Sequence, residues 1–203
     1  MEFIIVIAFS YLSGSIPFGL ILTKIFFNKD IRKTGSGNIG ATNVLRSGNK
    51  YLAVATLLLD ALKGYLPVMI SMHFYPDKIQ IACLMTFLGH VFPVWINFKG
   101  GKGVATYLGI LFAMSLSLAI LFIFTWVVVT LIFKYASVSS MFSSLTVLFV
   151  SILKDNIISA INPNLKFDND INQILFIFFI LIIFTHKKNI FNLKNKVEKK
   201  IKI

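Results

Sequence analysis

The chain has 203 residues, of which 57% are hydrophobic and 14% are charged, and its mean hydropathy is +0.82. This composition is too apolar for a soluble domain and predicts a polytopic, all-α integral membrane protein. The net charge of +12 would suggest nucleic-acid binding in a soluble protein, but here the basic residues crowd into a few segments between apolar runs. We therefore expect anionic lipid and phosphorylated substrates as partners, and no nucleic acid.

The first apolar run, residues 3–27, is long enough to span a bilayer. It lacks the basic n-region and small-residue cleavage site of a signal peptide, so we expect it to be retained as a helix. The basic cluster that follows it predicts an external N-terminus. Inside the run, Pro17 predicts a kink that leaves the carbonyl of Ser13 in need of another partner. The kink is either a tolerated membrane proline or a broken helix that lines a polar cavity.

The polar segment 28–50 carries the sequence GSGNIGATNVLR over positions 35–46. Although it contains G-x-G-x-x-G, no strand precedes it and no βαβ unit follows, so a dinucleotide site is rejected. Glycines allow close backbone approach, small polar side chains donate hydrogen bonds, and arginine can bind phosphate in a bidentate way. We favour a ligand site over a simple polar turn. Its candidate residues are Gly35, Ser36, Gly37, Asn38, Gly40, Thr42, Asn43 and Arg46.

The next apolar run, residues 52–75, carries Asp60 and Lys63 on one helical face. Charges inside a span are expensive, usually pair, and face protein or a water-filled cavity. The two residues are either a structural ion pair or part of a substrate site. The run 79–98 then returns, with His90 and Pro93 near its inner half.

A second glycine-rich stretch, residues 99–103, sets Lys99 and Lys102 among Gly100, Gly101 and Gly103. Lysines among glycines have the chemistry of an anion pocket, and a basic interfacial loop is the alternative. The stretch is not a P-loop, because that pattern requires Ser or Thr after the lysine and a glycine five residues before Gly101.

The thirty apolar residues 104–133 are too long for one ordinary span. We prefer two short helices that turn near residues 114–117 over one tilted helix, because this keeps the polar loop 134–140 on the cytoplasmic side. Spans at 141–161 and 173–185, joined by an external loop 162–172, complete seven transmembrane helices with a cytoplasmic C-terminus. Of the 20 basic residues, only Lys78, Lys154 and Lys166 then lie away from the cytoplasmic half.

The tail, residues 186–203, is polybasic and suits the surface of anionic lipids. His186 and Asn189 lie one helical turn apart and are not needed for anchoring, so they are candidate site residues. The three histidines are far apart in sequence and have no ligand-spaced partners, so we predict no metal and no cofactor. The single cysteine, Cys83, lies in an apolar run and cannot form an intramolecular disulfide.

These motifs in this order resemble the bacterial acyl-phosphate:glycerol-3-phosphate acyltransferases, the PlsY family, over nearly the whole length. The resembling stretches are SGSIPFG at 13–19, GSGNIGATNVLR at 35–46, D-x-x-K-G at 60–64, G-H-x-F-P at 89–93, K-G-G-K-G-V-A at 99–105, Y-x-S-x-S-S at 135–140 and H-x-x-N at 186–189. The resemblance implies one acyltransferase domain over 1–203 in the bacterial plasma membrane, with its active site facing the cytoplasm. The implied reaction transfers a fatty acyl group from acyl phosphate to the 1-hydroxyl of sn-glycerol 3-phosphate. The products would be lysophosphatidate and phosphate, in the first acylation of phospholipid biosynthesis, downstream of an acyl-phosphate-forming enzyme.

Carried over by motif, the resemblance implies Ser36, Lys102 and His186 as catalytic residues. It implies substrate binding by the residues already named in the two glycine-rich segments and by Ser139, Ser140, Asn189 and Glu198. Three positions depart from the family pattern: Lys134 replaces the usual arginine, and Asn192 and Lys196 replace a tail arginine and glycine. Lysine at 134 keeps the charge but loses the bidentate fork.

The residues suit direct attack of the glycerol hydroxyl on the acyl carbon, because phosphate is already a good leaving group and no covalent enzyme intermediate is needed. Loop amides, Ser36 and Lys102 would stabilise the oxyanion and the departing phosphate. The base is either His186 or a substrate phosphate, whose second pKa is about 6. The rival hypothesis is a transporter for a phosphorylated anion.

Overall fold

The structure, a computed structural model, describes residues 1–161 and 170–201, and the side chains of 1–157 and 171–201. These residues form ten α-helices and no strand. The helices are α1 Glu2–Ser15, α2 Phe18–Phe27, α3 Ala41–Arg46, α4 Lys50–Phe74, α5 Ile79–Val91, α6 Val104–Met114, α7 Leu116–Phe133, α8 Ala136–Ile161, α9 Asp170–Thr185 and α10 Lys187–Lys194. The all-helical prediction is confirmed.

Five stretches of the described residues are long and apolar enough to cross a membrane, and a sixth is added if α9 and α10, bent by 55°, count as one. Helix α6, with 11 residues, is shorter than these stretches. At 1.5 Å per residue it covers roughly half of a 30 Å hydrocarbon core. The seven predicted spans and their orientation therefore stay a prediction. Most of the predicted external loop 162–172 lies outside the described residues.

Both predicted breaks in long apolar runs are confirmed. Helix α1 ends at Ser15 and α2 begins at Phe18, with Pro17 between them. The carbonyl of Ser13, which proline was expected to leave without a partner, accepts the N–H of Ile16 at 3.4 Å. The run 104–133 divides at Ser115, whose N–H donates to the carbonyl of Leu111 at 2.7 Å and ends α6.

Three stretches predicted as loop or span differ in detail. The segment 28–50 contains α3, and the loop 134–140 is helical from Ala136 onward. The span expected to reach residue 98 stops as α-helix at Val91, because Pro93 cannot donate an i→i−4 hydrogen bond. A single 3₁₀ turn, Val94–Ile96, follows it.

The chain divides into two compact units, Met1–Ser115 and Leu116–Ile203. In the first unit α1 packs along α5, and α4 packs along α6. The α4–α6 contact is backbone to backbone, since a Cβ on Gly64 would lie 2.2 Å from the Thr106 carbonyl oxygen and one on Gly109 would lie 1.9 Å from that of Ala61. In the second unit α7 packs on α8, and α8 packs on α9.

Candidate functional site

The polar segment between α2 and α4 is fixed at its start by an ion pair. The Asp30 carboxylate accepts the backbone N–H of Arg32 at 3.0 Å and pairs with its guanidinium at 2.7 Å. The Arg32 side chain lowers the pKa of Asp30 to about 2, so the carboxylate stays ionised at neutral pH. Beneath the segment, an apolar cluster of Leu20, Ile31, Ile39, Val44 and Ala53 anchors it to the helices.

Asn43 organises the rest of this segment. Its side chain is buried, and its Oδ1 accepts the backbone N–H of Ser36 at 2.8 Å. Its Nδ2 lies within hydrogen-bond distance of three carbonyl oxygens, those of Ile31 at 3.1 Å, Thr34 at 3.1 Å and Asn38 at 2.7 Å. One amide thus ties together the whole turn, so Asn43 holds the segment's shape. A direct contact of Asn43 with substrate stays a prediction.

The other candidates of this segment surround that amide. Gly35 and Gly37 are exposed and have φ values of 60° and 75°, which favour glycine. Ser36 is half-buried, and because its N–H is bound by Asn43, its hydroxyl is the group with which it would bind a ligand. Asn38 Oδ1 accepts the N–H of Gly40 at 3.0 Å. Arg46 ends α3 and is half-buried.

The second glycine-rich stretch folds back on the end of α5. The N–H groups of Gly100 and Gly101 donate to the carbonyl oxygens of Val91 and His90, each at 3.1 Å. A Cβ on Gly100 would lie 2.1 Å from the His90 carbonyl oxygen, and one on Gly101 would lie 2.1 Å from His90 Nε2. Glycine is therefore required at both positions by the close approach of α5.

The hydrogen bonds from Gly100 and Gly101 to α5 reduce the number of backbone N–H groups in this stretch that are expected to bind an anion. The amides of Gly100 and Gly101 already donate to carbonyl oxygens of α5, so the structure gives these two amides a role in holding the stretch, and their substrate contacts stay predictions. Gly103, at φ 82°, precedes α6 as its N-cap. The first amides of α6, those of Val104, Ala105 and Thr106, have no intrahelical acceptor and sit at the positive end of the helix dipole. Lys102 is half-buried beside them and adds a full positive charge.

Asp60 and Lys63 form an ion pair, with 2.8 Å between Lys63 Nζ and Asp60 Oδ1. Both side chains are 3% exposed. Of the two alternatives for these residues, the structure contains the internal pair. The sequence motif gave their positions but not the partners that Lys63 finds beyond Asp60.

In the second unit, Ser139 and Ser140 lie in the first turns of α8 and are buried. The Ser139 hydroxyl donates to the Tyr135 carbonyl oxygen at 3.0 Å, and the Ser140 hydroxyl donates to that of Ala136 at 2.8 Å. Each hydroxyl also accepts one bond, from Thr130 at 2.7 Å and from Trp126 at 3.2 Å respectively. Both hydroxyls are engaged within the unit, and their substrate contacts stay predictions.

His186 lies between α9 and α10 and is buried. Its Nδ1 is 2.8 Å from the carbonyl oxygen of Ile182. Because a carbonyl only accepts, Nδ1 carries the proton, and in the neutral ring the lone pair is on Nε2. This tautomer suits a histidine that accepts a proton through Nε2.

The tail returns to the start of α8 through Glu198. Its carboxylate accepts hydrogen bonds from Asn189 at 2.6 Å, Ser137 at 3.2 Å and Asn192 at 3.3 Å. The N–H of Ile201 donates to the carbonyl oxygen of Lys134 at 2.8 Å. Sequence reasoning missed Ser137, whose only signal was its place in the serine-rich motif. It gave Asn192 only as a departure from the family pattern, although the Asn192 amide donates to the same carboxylate.

Replacing Glu198 with alanine should release the tail, because three donors lose their acceptor at once. We expect residues 187–201 to be cut by trypsin at least about tenfold faster, which corresponds to roughly 1.4 kcal/mol of lost docking free energy. Limited proteolysis followed by mass spectrometry measures this. Glu198→Gln keeps one carbonyl acceptor, so its rate of cleavage should lie between those of wild type and Glu198→Ala. Equal cleavage of wild type and Glu198→Ala would show that the carboxylate does not hold the tail.

Among the described residues, no group of three His, Cys, Asp or Glu side chains is arranged to hold a metal ion. The predicted absence of a metal and of a cofactor stays a prediction.

Comparison with known proteins identifies the chain's relatives. A family model described as glycerol-3-phosphate acyltransferase matches residues 4–196. The chain belongs to the glycerol-3-phosphate acyltransferase family. Its relatives of that name include a protein of Pelagibacter ubique that is 55% identical, with both chains fully covered. One of Brucella ovis is 45% identical over 95% of this chain and 90% of its own.

Two solved structures of this acyltransferase family have the same fold. Both are crystal structures of PlsY, described as an integral membrane glycerol 3-phosphate acyltransferase. The glycerol 3-phosphate form superimposes with a TM-score of 0.88 at 32% identity, and the lysophosphatidic acid form with 0.86 at 31%; each match covers 100% of this chain and 96% of the other. The family resemblance read from the motifs is confirmed, and the chain is a multi-pass membrane protein.

Proposed function

We propose that this chain transfers a fatty acyl group from acyl phosphate to the sn-1 hydroxyl of glycerol 3-phosphate, giving lysophosphatidate and inorganic phosphate. The observation that carries the proposal is the family match over residues 4–196, joined to solved relatives in a glycerol 3-phosphate form and a lysophosphatidic acid form. Those two molecules are an acceptor and its acylated product. The donor is inferred from the motif resemblance and from the chemistry of a site with several anion-binding groups.

The acceptor hydroxyl oxygen attacks the acyl carbon, the bond from that carbon to the phosphate oxygen breaks, and phosphate leaves. Both substrates carry phosphate, so two anion-binding groups are needed. In our assignment Arg46 binds one phosphate, while the Ser36 hydroxyl, Lys102 and the first amides of α6 stabilise the oxyanion and the departing phosphate. The hydroxyl proton passes to His186 Nε2 or to a substrate phosphate oxygen.

The remaining predicted contacts are kept as part of this proposal. Lys99, Asn189 and Glu198 are assigned to substrate binding on motif grounds, and the motifs of both units are proposed to serve one reaction because the family match runs through both. We also propose seven transmembrane helices, an external N-terminus, a cytoplasmic C-terminus and an active site on the cytoplasmic face of the bacterial plasma membrane. The distribution of lysine and arginine along the sequence supports that orientation. An upstream enzyme that forms acyl phosphate is then required.

The test is acyl transfer by the purified protein in detergent with glycerol 3-phosphate and either palmitoyl phosphate or palmitoyl-CoA. We expect lysophosphatidate from palmitoyl phosphate alone, with one phosphate released per ester formed. Proton NMR of the product should locate the ester at the sn-1 carbon. Product from palmitoyl-CoA alone would overturn the donor assignment. No product from either, with uptake of glycerol 3-phosphate into proteoliposomes instead, would favour the transporter.

A further inference from the structure

Three ionisable side chains lie buried together in the first unit and take no part in the proposed chemistry. They are Asp60 and Lys63 on α4 and His90 on α5, and each side chain is 3% exposed. Asp60 Oδ1 lies 2.8 Å from Lys63 Nζ and 3.8 Å from His90 Nδ1. Burying charged side chains in a helical membrane protein costs free energy even when the charges pair, so these three residues are candidates for a functional role.

Lys63 holds the break between α1 and α2. Its ammonium donates to the carbonyl oxygen of Ile16 at 2.5 Å and lies 5.7 Å from the centre of the Phe18 ring. These two residues flank Pro17, so one side chain contacts both sides of the break. At the residue after Phe18, a Cβ on Gly19 would lie 1.9 Å from the carbonyl oxygen of Ile39, in the segment that carries Ser36 and Arg46. The position of the break therefore sets the position of that segment.

His90 holds the other glycine-rich stretch. Its carbonyl oxygen accepts the N–H of Gly101, and its ring packs directly on the same glycine, with Nε2 2.1 Å from the place of a Cβ. Gly101 immediately precedes Lys102. The position of the His90 ring beside Asp60 therefore sets the position of the Lys102 stretch.

We propose that Asp60, Lys63 and His90 are positioning residues that set the spacing between the Ser36–Arg46 segment and the Lys102 stretch. The inference rests on the proposed function, in which those two segments bind the two reacting groups. Weakening the cluster would leave each segment able to bind its anion but would misalign the two groups. Because a misplacement of about 1 Å can cost roughly 10²-fold in rate, the loss should appear in kcat and not in KM.

The main test is the double variant Asp60→Asn/Lys63→Met, which removes both charges and leaves neither one unpaired. Replacing a buried ion pair by neutral groups is often neutral for stability, so we expect Tm close to that of wild type. We expect kcat to fall about 10²-fold, with KM for glycerol 3-phosphate and palmitoyl phosphate changed less than about threefold. Ser71→Ala, also buried on α4 but two turns beyond Lys63, is the matched control with wild-type kcat.

His90→Asn is the second variant, because it removes the ring from Gly101 and keeps the Asp60–Lys63 pair. His90→Asn should also lower kcat by at least about tenfold at nearly unchanged KM. The separate variant Lys63→Arg, which keeps the charge and the N–H donors, should retain most of the wild-type kcat. All kinetic assays are run at a temperature well below the lowest Tm among the variants, so that a lower kcat does not arise from unfolding. A wild-type kcat in His90→Asn, or in a folded double variant, would overturn the inference. An inactive wild-type chain would instead overturn the proposed function itself.

Discussion

Replacing Lys102 with alanine is expected to lower kcat/KM for acyl transfer by about 10²- to 10³-fold, the usual cost of removing one group that stabilises developing negative charge. Lys102 follows two glycines whose amides are already bound to the carbonyl oxygens of His90 and Val91. Those amides are therefore not able to replace the missing charge. The first amides of α6 would remain beside this position, and each carries only a partial charge.

The measurement is steady-state kinetics with palmitoyl phosphate and glycerol 3-phosphate, alongside thermal unfolding in detergent. Lys102 is half-buried, so the alanine variant should fold, with a Tm near that of wild type. Lys50→Ala, an exposed lysine at the start of α4, is the charge-matched control and should keep wild-type kinetics. Wild-type kcat/KM in Lys102→Ala would remove this residue from the mechanism and leave the α6 amides as the anion site.

Sequence reasoning was most successful where one residue decides the local structure. Pro17 has no N–H to donate and its ring clashes with the preceding turn, so an interruption between α1 and α2 could be predicted, although Pro67 is accommodated inside α4. The division at Ser115 followed from length, since 30 apolar residues exceed one span. The motifs and their order along the chain likewise identified the family, because comparing them with the family pattern requires no knowledge of which residues are in contact.

The bonds between segments were not readable. The amides of Gly100 and Gly101 donate to carbonyl oxygens of α5. The sequence around Gly100 does not indicate that these carbonyls lie close enough to accept a hydrogen bond. The Ser137–Glu198 contact joins residues 61 positions apart, and a periodicity argument reaches only a few turns. The sequence predicted that Lys63 is a charge inside a span, but it did not predict the hydrogen bond from Lys63 to the carbonyl oxygen of Ile16, 47 residues earlier.

Asn43 is the second position at which a large loss is expected, and for a different reason. The alanine variant leaves the Ser36 N–H and three carbonyl oxygens without the amide that joins them. The amide accepts one hydrogen bond and its two N–H groups are shared among the three carbonyls, so at 0.5–1.5 kcal/mol for each of three bonds the loss is about 1.5–4.5 kcal/mol of unfolding free energy for the segment. The geometry of Ser36 depends on that amide, so kcat should fall by at least about 10²-fold.

Hydrogen–deuterium exchange separates this role from a substrate contact. If Asn43 holds the segment, exchange of residues 31–40 should rise in Asn43→Ala without any substrate present, because the protected amides of that turn open. Asn49→Ala is the matched control: its side chain also accepts a backbone N–H, that of Leu52 at 2.9 Å, but as a helix cap worth about 1 kcal/mol. That control should keep wild-type kcat and unchanged exchange over 31–40. Unchanged exchange in Asn43→Ala with a raised KM would instead make Asn43 a substrate ligand, since the loss would then arise only when substrate binds.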